Sequence, residues 1–128
     1  MEELNNWTGI KGKKLTSFDK FLIPAVVGSN HWVLYVVENG TVSLYDSMNV
    51  KRGGDGNLEY KLFEFMRWQK CDLCRLNIVK GLPKQKNGND CGVFLMEFAR
   101  CLLLDKPIQF TQKDIKAIRE RIKRELDQ

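Results

Sequence analysis

Two runs rich in β-branched and aromatic residues, His31 to Val37 and Thr41 to Asp46, are joined by Glu38-Asn39-Gly40, and no other stretch constrains the fold as strongly. Asn-Gly between such runs is a hairpin signal, because the favoured two-residue turn needs left-handed backbone at both positions. A hairpin here brings the far ends of the runs together. His31 and Asp46 both fall at that open end, eight positions before and seven positions after Asn39. Cross-strand neighbours lie about 5 Å apart, so an imidazole and a carboxylate at that end are placed to hydrogen-bond. An acid on one ring nitrogen fixes the tautomer and leaves the other nitrogen to act as a base.

The remaining chain supplies a sheet partner and covering helices. Met1 to Phe18 is polar and without periodicity, which predicts an irregular segment. Phe21 to Val27 is a short apolar run that reads as a buried strand, with Pro24 confined to an edge, a bulge or a strand end. Leu58, Leu62, Phe65 and Met66 recur at helical spacing within Leu58 to Gln69. Leu76 to Val79 suggests another strand, ended by Gly81-Leu82-Pro83. Asp105-Lys106-Pro107 stops a preceding helix, and Thr111 opens a last one through Leu126, with Asp114 in a capping box and Ile115, Ile118, Ile122 and Leu126 on one face. The charged face of that helix, with Arg119, Arg121, Lys123 and Arg124, reads as solvated surface. At 128 residues and 43% hydrophobic the chain supports one modest core. The expected fold is a single α+β domain over residues 1–128, a small mixed or antiparallel sheet flanked by helices.

Between the strands and the last helices lies Gln85-Lys86-Asn87-Gly88-Asn89-Asp90-Cys91-Gly92. Asn87-Gly88 signals a turn, Asp90 is a preferred N-cap residue, and Val93, Phe94, Phe98, Cys101 and Leu102 follow at helical spacing. Cys91 therefore opens a helix. The unsatisfied N–H groups and partial positive charge of a helix N-terminus favour thiolate over thiol. A lone cysteine at such a position is more often a small buried residue. Here, however, a nucleophile, a base and an orienting acid are available together as Cys91, His31 and Asp46, and His31 is the only histidine in the chain.

Other chemistries find less support. The net charge of +5 favours an acidic partner, but the basic residues are scattered and not interleaved with aromatics, so nucleic acid is not an expected ligand. No stretch approaches the roughly 20 apolar residues of a membrane span, and the N-terminus lacks a signal peptide's basic and apolar regions. An intracellular protein with reduced thiols is the expectation. Cys71 and Cys74 form a C-x-x-C, yet a zinc site needs a second knuckle or nearby histidines, and a redox pair would open a helix after a strand. The Gly53, Gly54 and Gly56 loop lacks the Gly-Lys-Ser/Thr end of a phosphate loop. No metal and no cofactor are expected.

Several of these stretches together resemble the ubiquitin-like-protein proteases of the SUMO (sentrin) type. They are His31-Trp32 before an apolar strand, Tyr45-Asp46-Ser47-Met48, Gln85-x-Asn87-Gly88-x-Asp90-Cys91-Gly92, and Asp105-Lys106-Pro107-Ile108-x-Phe110-Thr111-Gln112. The resemblance runs from about Trp7 to the end, and the last stretch looks particularly like the SUMO-specific branch. It implies that Cys91 is the nucleophile, His31 the general base and then acid, Asp46 the group orienting His31, and Gln85 the oxyanion-hole glutamine. It also implies that Trp32 covers a narrow tunnel for a substrate's Gly-Gly tail, with Gly92 on the substrate side. The implied reaction is hydrolysis of the peptide or isopeptide bond after the C-terminal Gly-Gly of SUMO, through a thioester. The implied partners are SUMO or a related ubiquitin-like protein and its conjugates, met by a monomer in the nucleus or cytoplasm. Family domains carry a further segment before this region, including a Trp-Leu-x-Asp stretch, so the chain is expected to be an N-terminally truncated catalytic domain. The alternatives are a truncated pseudoenzyme that binds without cleaving, and a protease for another ubiquitin-like modifier.

Overall fold

The computed structural model describes residues 20–28, 30–48, 59–61, 63–64, 67 and 75–127. The expected irregular segment Met1 to Phe18, most of the glycine-rich loop, the Cys71 and Cys74 pair, and the apolar markers Leu58, Leu62, Phe65 and Met66 lie outside those residues. The described elements are strands β1 (Lys20–Val27), β2 (His31–Glu38), β3 (Thr41–Tyr45) and β4 (Arg75–Ile78), then helix α1 (Cys91–Leu103), a 3-10 turn (Gln112–Asp114) and helix α2 (Ile115–Leu126). The described positions within 59–67 are helical.

The four strands form one sheet in the order β1-β2-β3-β4, with the first two pairings antiparallel and the β3-β4 pairing parallel. The hairpin forms as its sequence requires: Asn39 and Gly40 have φ of 51° and 73°, left-handed at both turn positions, and Glu38 pairs with Thr41. Pro24 sits in β1 opposite Leu34, and β1 is an edge strand, where the missing N–H breaks no interior ladder.

β2 is central, and its apolar run is explained by burial on both faces. Val33, Tyr35 and Val37 pack on one side with Val27, Val42 and Leu44, where Phe63 from the helical positions covers them. Leu34 and Val36 point to the other side and meet Phe94, Phe98, Ile115 and Ile118 of the two C-terminal helices. Phe98 lies among Tyr45, Phe94 and Phe110 with ring centroids 6.0, 6.2 and 5.6 Å away, distances at which tilted and edge-on aromatic pairs attract. The core thus presses the start of α1 against the open end of the hairpin.

α1 ends with Asp105 in left-handed backbone (φ 53°), while the Lys106 N–H donates to the Cys101 carbonyl at 2.8 Å, the bonding of a helix stop ordinarily built on glycine. The capping box before α2 also forms. The Thr111 side chain accepts from the Lys113 N–H, and the Asp114 carboxylate accepts from the Thr111 N–H at 2.9 Å. Ile115 and Ile118 are buried as their spacing predicts, and Ile122 is half-buried, but Leu126 at the end of the helix is 77% exposed. The charged face of α2 is not simply solvated: Arg119 pairs with Asp90 and Arg121 with the buried Glu97 of α1. No helix among the described residues is long and apolar enough to cross a membrane.

Candidate active site

His31 opens β2 and is buried, and its Nε2 lies 2.6 Å from Asp46 Oδ1. Asp46 is not part of the ladder. β3 ends at Tyr45, which pairs with Leu34, so the carboxylate reaches the ring from the turn that follows the strand. The same Oδ1 accepts the Met48 N–H at 2.8 Å, an Asx-type turn that fixes the carboxylate's direction. An ionised carboxylate can only accept, so the neutral imidazole carries its proton on Nε2 and presents its lone pair on Nδ1.

Cys91 is the first residue of α1, buried and not in a disulfide. Its sulfur sits against the backbone on both sides of His31. The Trp32 N–H donates to Sγ at 3.5 Å, and Sγ lies 3.9 Å from the Asn30 carbonyl. The structure therefore brings His31, Asp46 and Cys91 to one place, the junction of β2, the turn after β3 and the start of α1. Trp32 stands beside the sulfur on the same strand, 43% exposed. Gly92 follows in the first turn, and a Cβ built there meets nothing within 4 Å, so internal packing does not demand glycine at this position.

Gln85 is buried next to this junction and held by Ser47. The Ser47 hydroxyl donates to Gln85 Oε1, and the Gln85 N–H donates to the Ser47 carbonyl at 3.0 Å. With the side-chain oxygen committed, Nε2 points into the loop and donates to the Asn87 carbonyl at 2.6 Å. An amide nitrogen carries two hydrogens, so this bond uses one of them. Ser47 stands next to Asp46 in the chain, which ties the carboxylate holding the imidazole to the hydroxyl holding the amide.

Asp90 takes the N-cap place read from the sequence, but its side chain does not cap α1. Asp90 occupies the N-cap position, and its carbonyl accepts the first helical bond from Phe94 at 3.0 Å, but its φ of −104° and ψ of 7° are not the extended backbone of a side-chain cap, and no cap bond forms. Its carboxylate turns away from the helix. Oδ2 accepts from Asn87 Nδ2 at 2.7 Å and from Gln112 Nε2 at 2.9 Å, and Oδ1 pairs with Arg119. These bonds, Asn87 first, hold the Asp90 carboxyl below its usual range. With no side-chain cap bond, the Asp90 carboxylate uses none of the first-turn N–H groups of α1.

Sequence reasoning located His31, Asp46, Gln85 and Cys91 but did not single out Ser47, Gln112 or Arg119. Ser47 and Gln112 stood only as members of matching stretches, and Arg119 was assigned to a solvated face. Each acts through a partner 22 to 38 positions distant, which no local pattern announces. Among the described residues no group of three or more His, Cys, Asp or Glu side chains is arranged to hold a metal ion.

The whole chain, residues 1–128, matches the sequence profile of the Ulp1 protease family, C-terminal catalytic domain. The chain belongs to the Ulp1 protease family. Human sentrin-specific protease 5 is 33% identical over 131 residues, covering 96% of this chain and 17% of the relative. The chain thus spans about a sixth of that relative's length. Among solved structures, the Ulp1 protease domain in complex with SMT3, the yeast ortholog of SUMO, superposes with a TM-score of 0.72 at 23% identity, covering 92% of this chain and 56% of that one. The Ulp1-like SUMO protease catalytic domain of Chaetomium thermophilum gives a TM-score of 0.67 at 34% identity, covering 84% of this chain and 45% of that one. The α+β architecture read from the sequence is the Ulp1 fold.

Proposed function

We propose that the chain carries the catalytic centre of a cysteine protease that cleaves the peptide or isopeptide bond after the C-terminal Gly-Gly of SUMO. The observation that carries this reading is the position of the Cys91 sulfur, 3.5 Å from the N–H of Trp32, the residue that follows a His31 whose Nε2 is held by Asp46 at 2.6 Å. Membership of the Ulp1 protease family and the likeness to a protease bound to SMT3 support it.

In the proposed reaction His31 Nδ1 takes the Cys91 thiol proton as the sulfur attacks the carbonyl of the substrate's terminal glycine, and the carbonyl π electrons move to oxygen. The oxyanion is met by Gln85 Nε2–H and the Cys91 backbone N–H, donors fixed before the substrate arrives. Collapse of the tetrahedral species expels the amine, which leaves with a proton from His31, and a thioester remains. His31 then takes a proton from water, the hydroxide equivalent attacks the thioester, and the Gly carboxylate departs as the thiol is restored. Trp32 is proposed to roof the tail and Gly92 to leave room for it. The proposed setting is the nucleus or cytoplasm, acting on SUMO or its conjugates.

Turnover of SUMO carrying a C-terminal aminomethylcoumarin tests the reading. The expected result is release of the fluorophore by the wild-type protein and none by Cys91→Ala. Binding of SUMO without any release would instead make the chain a pseudoenzyme, and release from another ubiquitin-like modifier alone would reassign its specificity.

A further inference from the structure

The side chain of Gln112 touches both ends of the loop that separates Gln85 from Cys91. Its Oε1 accepts the N–H of Lys86, the residue after Gln85, at 2.7 Å, and its Nε2 donates at 2.9 Å to the carboxylate of Asp90, the residue before Cys91. Gln112 itself is anchored at the 3-10 turn before α2, half-buried and fixed by the Thr111 and Asp114 capping box. Arg119, on α2, pairs with the other oxygen of the same Asp90 carboxylate. Within the loop, Asn87 Oδ1 accepts from the N–H groups of Asn89 and Asp90 at 2.9 and 3.1 Å, so the segment is itself a bonded unit. One side chain from a distant element therefore spans this unit.

We propose that Gln112 is a positioning residue that sets the separation between the oxyanion donor Gln85 and the nucleophile Cys91 by clamping both ends of the 86–90 loop. The inference rests on the proteolytic reading of the site. An oxyanion hole works only when its donors stand about 3 Å from where the oxyanion forms, and a displacement of about 1 Å costs orders of magnitude in rate. The five-residue connection between the two groups, Lys86 to Asp90, does not fix that separation by itself. Gln112 uses both halves of its amide to do so, with an acceptor for the Lys86 N–H and a donor for the Asp90 carboxylate, which is the work of one bidentate planar group.

Two substitutions separate this role from general stabilisation. Gln112→Met keeps the length and removes both bonds, and Gln112→Glu keeps the acceptor toward Lys86 while replacing the donor with a charge that repels Asp90. For each, kcat and KM for SUMO-aminomethylcoumarin are measured beside the rate of Cys91 alkylation by iodoacetamide, which needs the sulfur but no oxyanion hole. The expected result is a fall in kcat of about tenfold or more, up to the roughly hundredfold to thousandfold that loss of an oxyanion donor itself costs, with KM and the alkylation rate each within about twofold of wild type. An unchanged kcat, a fall confined to KM, or alkylation falling in step with kcat would overturn the proposal. Should the Gln112→Met protein not fold, the Gln112→Glu protein carries the same comparison. A wild-type protein that alkylates at Cys91 but releases no fluorophore counts against the proteolytic reading, whereas an active wild type with fully active variants counts against Gln112 alone.

Discussion

Asp46 meets His31 from outside the sheet. The strand that carries the acid has already ended at Tyr45, and the 2.6 Å contact from Oδ1 to Nε2 is made from a turn stapled by the Met48 N–H. Had Asp46 continued the ladder it would have faced Val33, extending the pairing of Leu34 with Tyr45 by one step. Leaving the strand lets the side chain reach two positions back along β2 and accept from the ring. The acid's direction is therefore a property of the turn.

That geometry makes Asp46→Asn informative. Oδ1 serves both His31 Nε2 and the Met48 N–H, so an asparagine that turns its amide nitrogen to that place donates to Nε2, holds the imidazole in the opposite tautomer and gives up the Met48 bond. The Nδ1 lone pair needed for the base is then lost. The expected fall in kcat is about a hundredfold to ten-thousandfold, with stability lowered by no more than the one lost turn bond, about 0.5–1.5 kcal/mol, as measured by SUMO-aminomethylcoumarin turnover and thermal unfolding followed by circular dichroism.

Gly92 separates substrate space from folding. Its backbone is not left-handed, and an added Cβ meets nothing within 4 Å. Gly92→Ala should therefore stabilise the fold by about 0.4–1 kcal/mol in urea unfolding, through a less flexible unfolded chain. The same methyl group would intrude on the proposed tail path, so KM for the SUMO substrate should rise severalfold.

Acid should loosen the start of α1. The Asn87, Gln112 and Arg119 bonds lower the Asp90 pKa from the ordinary 3.8, so the native state releases this proton more readily than the unfolded chain does. Its stabilisation is complete above the ordinary value and disappears as pH falls through that value and then through the lower native one. Urea midpoints measured between about pH 6 and pH 2 should show this loss in the wild-type protein and a shallower slope in Asp90→Asn, against the background of the other carboxylates.

The two described cysteines should differ in reactivity. Burial pushes the Cys101 thiol up, and the neighbouring Glu97 pushes it further, so at neutral pH it stays protonated. Only the thiolate is a strong nucleophile. Peptide mapping after brief iodoacetamide treatment at pH 7 should find Cys101 with less than about a tenth of the label at Cys91, and Cys101→Ala should leave SUMO turnover unchanged.

What was legible in the sequence was the locally determined part. The Asn39-Gly40 turn, the helix opened by Cys91 and the Thr111 capping box are each specified by residues within a few positions of one another, and each formed. Pro24 was confined to an edge, a bulge or a strand end, and it stands on an edge strand. The parallel pairing of β4 with β3 was not legible, because it depends on a crossover between positions 45 and 75 and not on any pattern within either strand. Asp90 misled for a related reason. Its type is that of a capping residue, but Arg119 and Gln112, 29 and 22 positions away, draw the carboxylate off the helix. Arg119 looked like solvated surface because the partner that changes its meaning lies on another element. The triad candidates were visible as residue types in a suggestive order, whereas the clamps on them, Ser47 and Gln112, exist only once the chain has folded.

The central claim is that Cys91, activated beside His31, attacks the terminal glycine carbonyl of SUMO. Reaction with SUMO bearing a C-terminal vinyl sulfone, followed by intact-mass and peptide-map analysis, tests it most directly. One adduct per chain is expected, located at Cys91, absent from Cys91→Ser and strongly slowed in His31→Ala. No adduct on the wild-type protein, or an adduct that persists in Cys91→Ser, would contradict it.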